Sequence, residues 1–170
     1  MTTDAAAPSN IAAFTLRPLL AQDEDFSFQV YASTRAAEMN LVDWGPEQKA
    51  AFLRMQFNAQ RQHYHLHYPQ ALWQVIEQQG QGIGRLITDD SHEELFLLMD
   101  IALLPEYCGR GIGSAIMLDL LRAAGLAHKT VSLHVEPNNP ALNLYQRLGF
   151  VVCNQSGFYL EMRCPPLTVP

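Results

Sequence analysis

The hydrophobic positions change period several times along the chain, and each change marks an element. Residues 14–17 (Phe-Thr-Leu-Arg) alternate and are closed by Pro18, which predicts a first strand. Residues 23–40 have helical character, and Asp23, Glu24 and Asp25 suit the positive end of a helix dipole. The chain turns over 41–45, and Pro46 opens a second helix from a first-turn position. Ala50, Leu53, Phe57 and Tyr64 recur there at helical spacing until Pro69 ends the pattern. Residues 71–78 and 83–88 predict two strands around a Gly-rich turn. Residues 94–104 form a longer strand whose apolar density predicts burial on both faces. A helical stripe of Ile112, Ile116, Met117, Leu120, Leu121 and Ala124 follows, ending near Gly125. Residues 131–135 predict a strand, 140–148 a short helix stopped by Gly149, and 150–153 and 158–163 two closing strands. The order β α α β β β α β α β β predicts the α/β (α+β) class, a mixed sheet of about seven strands with helices on both faces.

Composition narrows the picture. A chain of 170 residues predicts one domain, here 14–164, with tails at 1–13 and 165–170 too small and polar to offset their ordering entropy. Eleven basic against seventeen acidic residues give a net charge of −6, which excludes a polybasic nucleic-acid binder. No apolar run approaches the roughly 18–20 residues of a membrane helix, so no membrane partner is expected. Arg17 is the first basic residue, unlike a secretory signal, and Cys108, Cys153 and Cys164 are an odd, sparse set. Together these predict a cytoplasmic protein with free thiols. His63 and His67 share a helix face, but with no third ligand positioned no metal is expected.

The strongest chemical signal is the run Asp100-Ile-Ala-Leu-Leu-Pro-Glu-Tyr-Cys-Gly-Arg-Gly-Ile-Gly-Ser114. A buried strand enters a loop with glycines at 109, 111 and 113, and an amphipathic helix follows. Glycine lets backbone approach an anion closely, and the unpaired N–H groups of a helix start point at it. With the positive helix end this predicts a pyrophosphate cradle. Gly113-Ser114 lacks the lysine of a Walker loop, and no acidic residue stands about 20 positions on, as a dinucleotide fingerprint requires. Gly80-Gln-Gly82-Ile-Gly84 joins two strands and predicts a hairpin.

A second run, Leu133-His-Val-Glu-Pro-Asn-Asn-Pro-Ala-Leu-Asn-Leu-Tyr-Gln-Arg-Leu-Gly-Phe150, completes a resemblance. Together the two runs resemble the GNAT superfamily of acyl-CoA-dependent N-acyltransferases. Cys108-Gly-Arg-Gly111-Ile-Gly113 is similar to the family's Q/R-x-x-G-x-G/A loop. Asn138, Ala141, Leu144, Tyr145, Gly149 and Phe150 are similar to its N-x-x-A-x-x-L-Y-x-x-x-G-F segment. The resemblance covers nearly the whole chain and implies a centrally split sheet that receives the pantetheine arm of acetyl-CoA as co-substrate. It implies cofactor contacts along Ile101, Ala102 and Leu103 and through Cys108, Gly109, Arg110, Gly111, Ile112, Gly113 and Ser114. Asn138 would lie against the pantetheine and Tyr145 near the thiol. Cys108 stands where the family usually has Gln or Arg, a phosphate contact that Arg110 is placed to replace. The one-residue-shorter approach to Asn138 leaves Asn139 open for the same role.

The activity implied is acetyl transfer to a primary amine by direct attack in a ternary complex. A backbone N–H, here that of Leu103, would stabilise the oxyanion. Tyr145 is the candidate acid for the leaving thiolate. An alkyl amine with pKa near 10.4 must lose a proton, and Asp100, Glu38 and His134 are the candidate bases. Asp100 is a carboxylate between apolar residues, which is costly without a partner or a task. Each also has a structural alternative: Asp100 a strand-end hydrogen bonder, Glu38 a solvated helix face, His134 a core histidine, Tyr145 a core aromatic. An idle acyl-CoA-binding sensor or scaffold is the competing class, and the retained Gly111, Gly113 and Tyr145 argue against it. The acceptor is expected to be a small-molecule or peptide amine, met by Glu38, Asp43, Trp44 and the Tyr/His-rich stretch 63–68 acting as one aromatic and acidic wall. The assembly is expected to be a monomer or homodimer.

Overall fold

The computed structural model describes residues 13–166. Of the expected tails at 1–13 and 165–170, residues 1–12 and 167–170 lie outside the described residues. Seven strands form one mixed sheet in the order β1-β2-β3-β4-β5-β7-β6. In chain order, β1 (Thr15–Pro18) leads through a 3-10 turn into α1 (Glu24–Thr34) and α2 (Ala36–Met39). Then come α3 (Pro46–His67), β2 (Leu72–Gln78), β3 (Gln81–Asp89) and β4 (Leu95–Leu103). A second 3-10 turn precedes α4 (Ile112–Leu126), β5 (Thr130–Val135), α5 (Leu142–Arg147), β6 (Val151–Ser156) and β7 (Tyr159–Cys164). The last hairpin folds back so that β7, and not β6, lies against β5.

The apolar stripe of α4 packs where its period places it. Ile112, Ile116, Met117, Leu121 and Ala124 are buried against Leu86, Phe96, Leu98, Val131, Leu133 and Val135 of the sheet. On the other face α1 and α3 cover β2, β3 and β4. Three local expectations need correction. Ala50 is exposed, whereas Leu53 and Phe57 of the same expected stripe are buried, because the stripe turns with Phe57 toward Phe28 and Tyr31 of α1. The short helix spans 142–147, since the Asn139 carboxamide accepts the Ala141 N–H at 2.9 Å and holds the preceding residues in a turn. β4 is only half-buried at alternate positions, because the α1/α3 layer leaves part of it open.

One irregularity positions the site. Leu98 is opposite Thr88 and Asp100 opposite Ile87, so Met99 is an extra residue, a β-bulge. The bulge reverses which face each later residue takes. Ile101 and Leu103 join the α4 side of the core, whereas Asp100 and Ala102 turn toward α1 and α3. β4 pairs in parallel with β5 only over Leu95–Leu98 and Thr130–Leu133. Beyond that the two strands part, as a split sheet requires. The Tyr64 hydroxyl of α3 donates to the carbonyl of Met99 at 3.3 Å, satisfying the oxygen that the bulge turns out of the ladder.

β3 and β4 approach closely just beyond the bulge. A Cβ on Gly84 would collide with the carbonyl oxygen of Ala102, a backbone atom that cannot swing aside. Gly84→Ala is therefore expected to destabilise the fold by about 1–3 kcal/mol, the usual cost of overpacking. A lowered urea midpoint with an unchanged slope is the expected result.

Candidate active site

The gap between β4 and β5 opens into a cavity of about 90 Å3 lined by Leu98, Met99, Asp100, Ile101, Leu133, His134, Val135, Asn139 and Tyr145. Its backbone chemistry follows from the ladder. The Leu104 N–H donates to the Ile83 carbonyl at 2.8 Å, so Leu104, Ala102 and Asp100 turn their amides toward β3. Alternation turns the N–H and C=O groups of Ile101 and Leu103 the other way, into the gap. These are strand groups with no strand beside them, and they offer an extended ligand the pairing that β5 has withdrawn.

The glycine loop stands at the head of this edge. Gly109 and Gly111 have φ of +71° and +82°, and Gly111 is the N-cap of α4. The Cys108 N–H donates to the Pro105 carbonyl at 3.2 Å, so it is not among the free amides of the loop. The first amide inside the helix bond pattern is Ala115, bonded to Gly111 at 3.0 Å. The amides of residues 109–114 bond to no other described residue. A Cβ at Gly109, Gly111 or Gly113 would meet nothing within 4 Å, so the glycines border open space. A row of free donors at the positive end of a fifteen-residue helix fits a diphosphate. The Arg110 guanidinium lies over the Tyr107 ring at 5.4 Å, beside the loop. The Cys108 thiol turns back to the carbonyls of Leu103 and Leu104 at 3.7 and 3.6 Å.

The candidate side chains divide between those that meet and those that do not. Tyr145 sits in the core against Phe150, rings 5.7 Å apart, and also lines the gap. It is therefore at once a core aromatic and part of the wall of the gap. Burial pushes its phenol up to about 12, and the negative charge of Asp100 adds to the shift. Asp100 accepts from Arg85 Nε at 2.8 Å, and that guanidinium, almost wholly buried, also donates to Gln60 at 3.0 Å and Ser27 at 3.4 Å. His134 is exposed and not a core histidine, because Leu133 and Val135 take the α4 side and leave it the other face. There it lines the gap, opposite Glu161 of β7. Glu38 pairs with Arg35 at 2.9 Å, and Arg35 reaches Glu136, just beyond β5, at 3.3 Å. Asn139 lines the gap, whereas Asn138 is exposed outside its lining.

The single acceptor wall expected from sequence does not form. Trp44 packs on Phe52, while His63 begins the aromatic stretch 11 residues further along α3, about 16 Å at 1.5 Å per residue. Only the second group lies near the gap, where Tyr64 reaches Met99 and Tyr68 packs on Tyr64, rings 6.2 Å apart. Burial, reinforced by the charge of Asp100, pushes the Tyr64 phenol up to about 12. His65 stacks on Trp73 at 4.7 Å, and among the described residues no three His, Cys, Asp or Glu side chains gather to hold a metal. Sequence reasoning missed Arg85, Glu136 and Glu161. An arginine inside the apolar run Ile83-Gly-Arg85-Leu-Ile was the one visible signal among them.

An open strand edge thus runs up to a loop of free amides at a helix start, a surface suited to an extended anionic ligand. Residues 69–152 match the family model described as an acetyltransferase (GNAT) domain. That stretch, just under half of the chain, carries a GNAT-type acetyltransferase domain and makes the chain a GNAT-type N-acetyltransferase. Among solved structures it resembles the PaiA N-acetyltransferase from Thermoplasma acidophilum in complex with coenzyme A. That likeness has TM-score 0.67 and 18% identity over 90% of this chain and 99% of the other. The ribosomal-protein-S18-alanine N-acetyltransferase from Escherichia coli has TM-score 0.63 and 19% identity, over 93% and 97% of the two chains. At these identities the likeness is one of fold. Nothing among curated proteins matches.

Gly113 tests the cradle without backbone strain, since its φ is not positive and a new Cβ would point into open space. Gly113→Val is expected to keep the melting temperature within a few degrees and to weaken coenzyme A at least tenfold in isothermal titration.

Proposed function

We propose that this enzyme acetylates a primary amine that approaches from the α1/α3 face of the gap, by direct attack within a ternary complex. The observation that carries the reading is the convergence of Tyr145, Asp100, His134 and the turned-out backbone of Ile101 on one cavity, with Leu103 further along the same open edge. Bound in the gap, acetyl-CoA supplies an activated acetyl carbon. The Ile101 and Leu103 backbone would hold the pantetheine arm as an added strand, and the amides of 109–114 its diphosphate. The Leu103 N–H donates to the carbonyl oxygen as negative charge builds there. The amine nitrogen adds to the carbonyl carbon to give a tetrahedral oxyanion, which then expels the thiolate as the nitrogen gives up its second proton to water. Tyr145 remains protonated throughout the working pH range, so it serves as a donor to the leaving sulfur and not as a base.

The three candidate bases take different parts. Asp100 is committed to Arg85 and Glu38 to Arg35, which leaves them to attract the cationic amine. His134 lines the gap with no salt bridge among the described residues, and it takes the ammonium proton directly or through one water. Glu161 is paired with Arg163, but Glu38 and Glu136 share the single charge of Arg35, and that surplus negative charge beside the gap supports a cationic small molecule or an exposed peptide amine. The three cysteines are free, which suits the reducing cytoplasm, and no helix among the described residues is long and apolar enough to cross a membrane.

Tyr145→Phe is expected to lower kcat at least tenfold with coenzyme A affinity unchanged, because only the donor is removed. His134→Gln should lower kcat/KM at least tenfold for alkylamines while sparing anilines, which are neutral near pH 7 and need no prior deprotonation. Thiol release from acetyl-CoA across an amine panel reads both. Equal rates for both variants and the parent enzyme would overturn the assignment, and faster reaction with anionic or alcohol acceptors would overturn the amine.

A further inference from the structure

A second cavity, of about 240 Å3, lies on the other side of α3 and shares no lining residue with the gap. Two side chains partition the pair. Tyr64 packs toward Trp73 on one side and donates to Met99 on the other, and Arg85 reaches Ser27 on one side and Asp100 on the other. The cavity body is apolar, made by Leu19, Leu20, Phe57 and Trp73. Its base is dry, with Phe57 and Ser27 buried. At its half-exposed mouth Glu24 and Arg61 form an ion pair at 2.9 Å. The wall is fixed by hydrogen bonds. The Leu19 N–H donates to the Trp73 carbonyl and the Leu20 N–H to the Asp23 carboxylate, each at 2.8 Å, and Arg17 clamps Asp23 in turn.

We propose that this cavity is a binding site for a small apolar α-amino acid, held as its zwitterion and separate from the acetylation gap. The volume equals roughly eight waters, room for on the order of ten heavy atoms, which matches the body of phenylalanine or leucine. The mouth selects the charge. An ammonium finds Glu24 and a carboxylate finds Arg61, so a zwitterion satisfies both, whereas a simple amine faces Arg61 and a simple acid faces Glu24. Opening the half-exposed Glu24–Arg61 pair costs little, since such pairs are weak in water. An apolar body with few placed polar groups at its rim is the usual form of a small-ligand site.

The probes are L-phenylalanine, phenethylamine and 3-phenylpropionate, titrated calorimetrically into the full chain at pH 7.5 with saturating coenzyme A. L-Phenylalanine is expected to bind at one site, at least tenfold tighter than either singly charged analogue. Leu20→Glu, at an exposed wall position that leaves the fold intact, should weaken it at least tenfold. Glu24→Gln should erase the disadvantage of 3-phenylpropionate, and Arg61→Gln that of phenethylamine. The Tyr145→Phe and His134→Gln variants should bind it as the parent does. Absence of binding, equal affinity for the three probes, or indifference to Leu20→Glu would overturn the proposal. Binding weakened by the gap variants, or acetylation of L-phenylalanine at a rate untouched by Leu20→Glu, would place the amino acid in the gap as acceptor, which overturns this site and leaves the acetyltransferase reading standing.

Discussion

Backbone amides and carbonyls must be paired or wetted, and the bulge at Met99 is where this protein breaks that rule in a controlled way. At Leu97 and Leu98 β4 is paired on both sides. One extra residue turns the following side chains over and lets β5 leave, so the groups of Ile101 and Leu103 face a gap. The cofactor edge, the place where Tyr145 can approach, and the exposure of Asp100 to the acceptor face all depend on that parting. The Tyr64 hydroxyl repairs the one carbonyl that no ligand would cover.

Turning Asp100 over would leave a carboxylate beneath two helices, and Arg85 answers it from the neighbouring strand. The pair is nearly dry on the arginine side, where removing one partner typically costs about 3–5 kcal/mol. Gln60 and Ser27 satisfy the remaining guanidinium donors, so α3 and α1 are both anchored to the strand that carries the site. Burial, with the charge of Asp100 adding to it, holds the Tyr145 and Tyr64 phenols in the protonated form. The charge at the gap and the docking of the helices are thus one network.

On the cofactor side the demands are simpler. The loop needs room and free amides, and glycine supplies both at 109 and 111 through positive φ and at 113 through the missing Cβ. A helix dipole adds the sign. Nothing there depends on a particular distant side chain, which is why Cys108 can replace a polar residue and still turn its thiol back onto the end of β4.

This difference explains what was legible in the sequence. Strand and helix periods, the Pro46 start, the Gly149 stop and the glycine cradle are local, each set by the conformational preference of a few neighbouring residues, and they could be read directly. The family resemblance added the split sheet and Tyr145. The bulge at Met99 was hidden, because it is a mismatch between two strands and neither sequence alone contains it. The partner of Asp100 was hidden for the same reason, since Arg85 lies 15 residues away and meets it only through the β3–β4 register. Trp44 and the Tyr/His stretch seemed to share a wall because both border α3, but a rigid helix of 22 residues holds its ends apart. Local chain chemistry determined the elements and the phosphate loop; long-range register and helix length, which only the folded chain fixes, decided which charges meet in the gap.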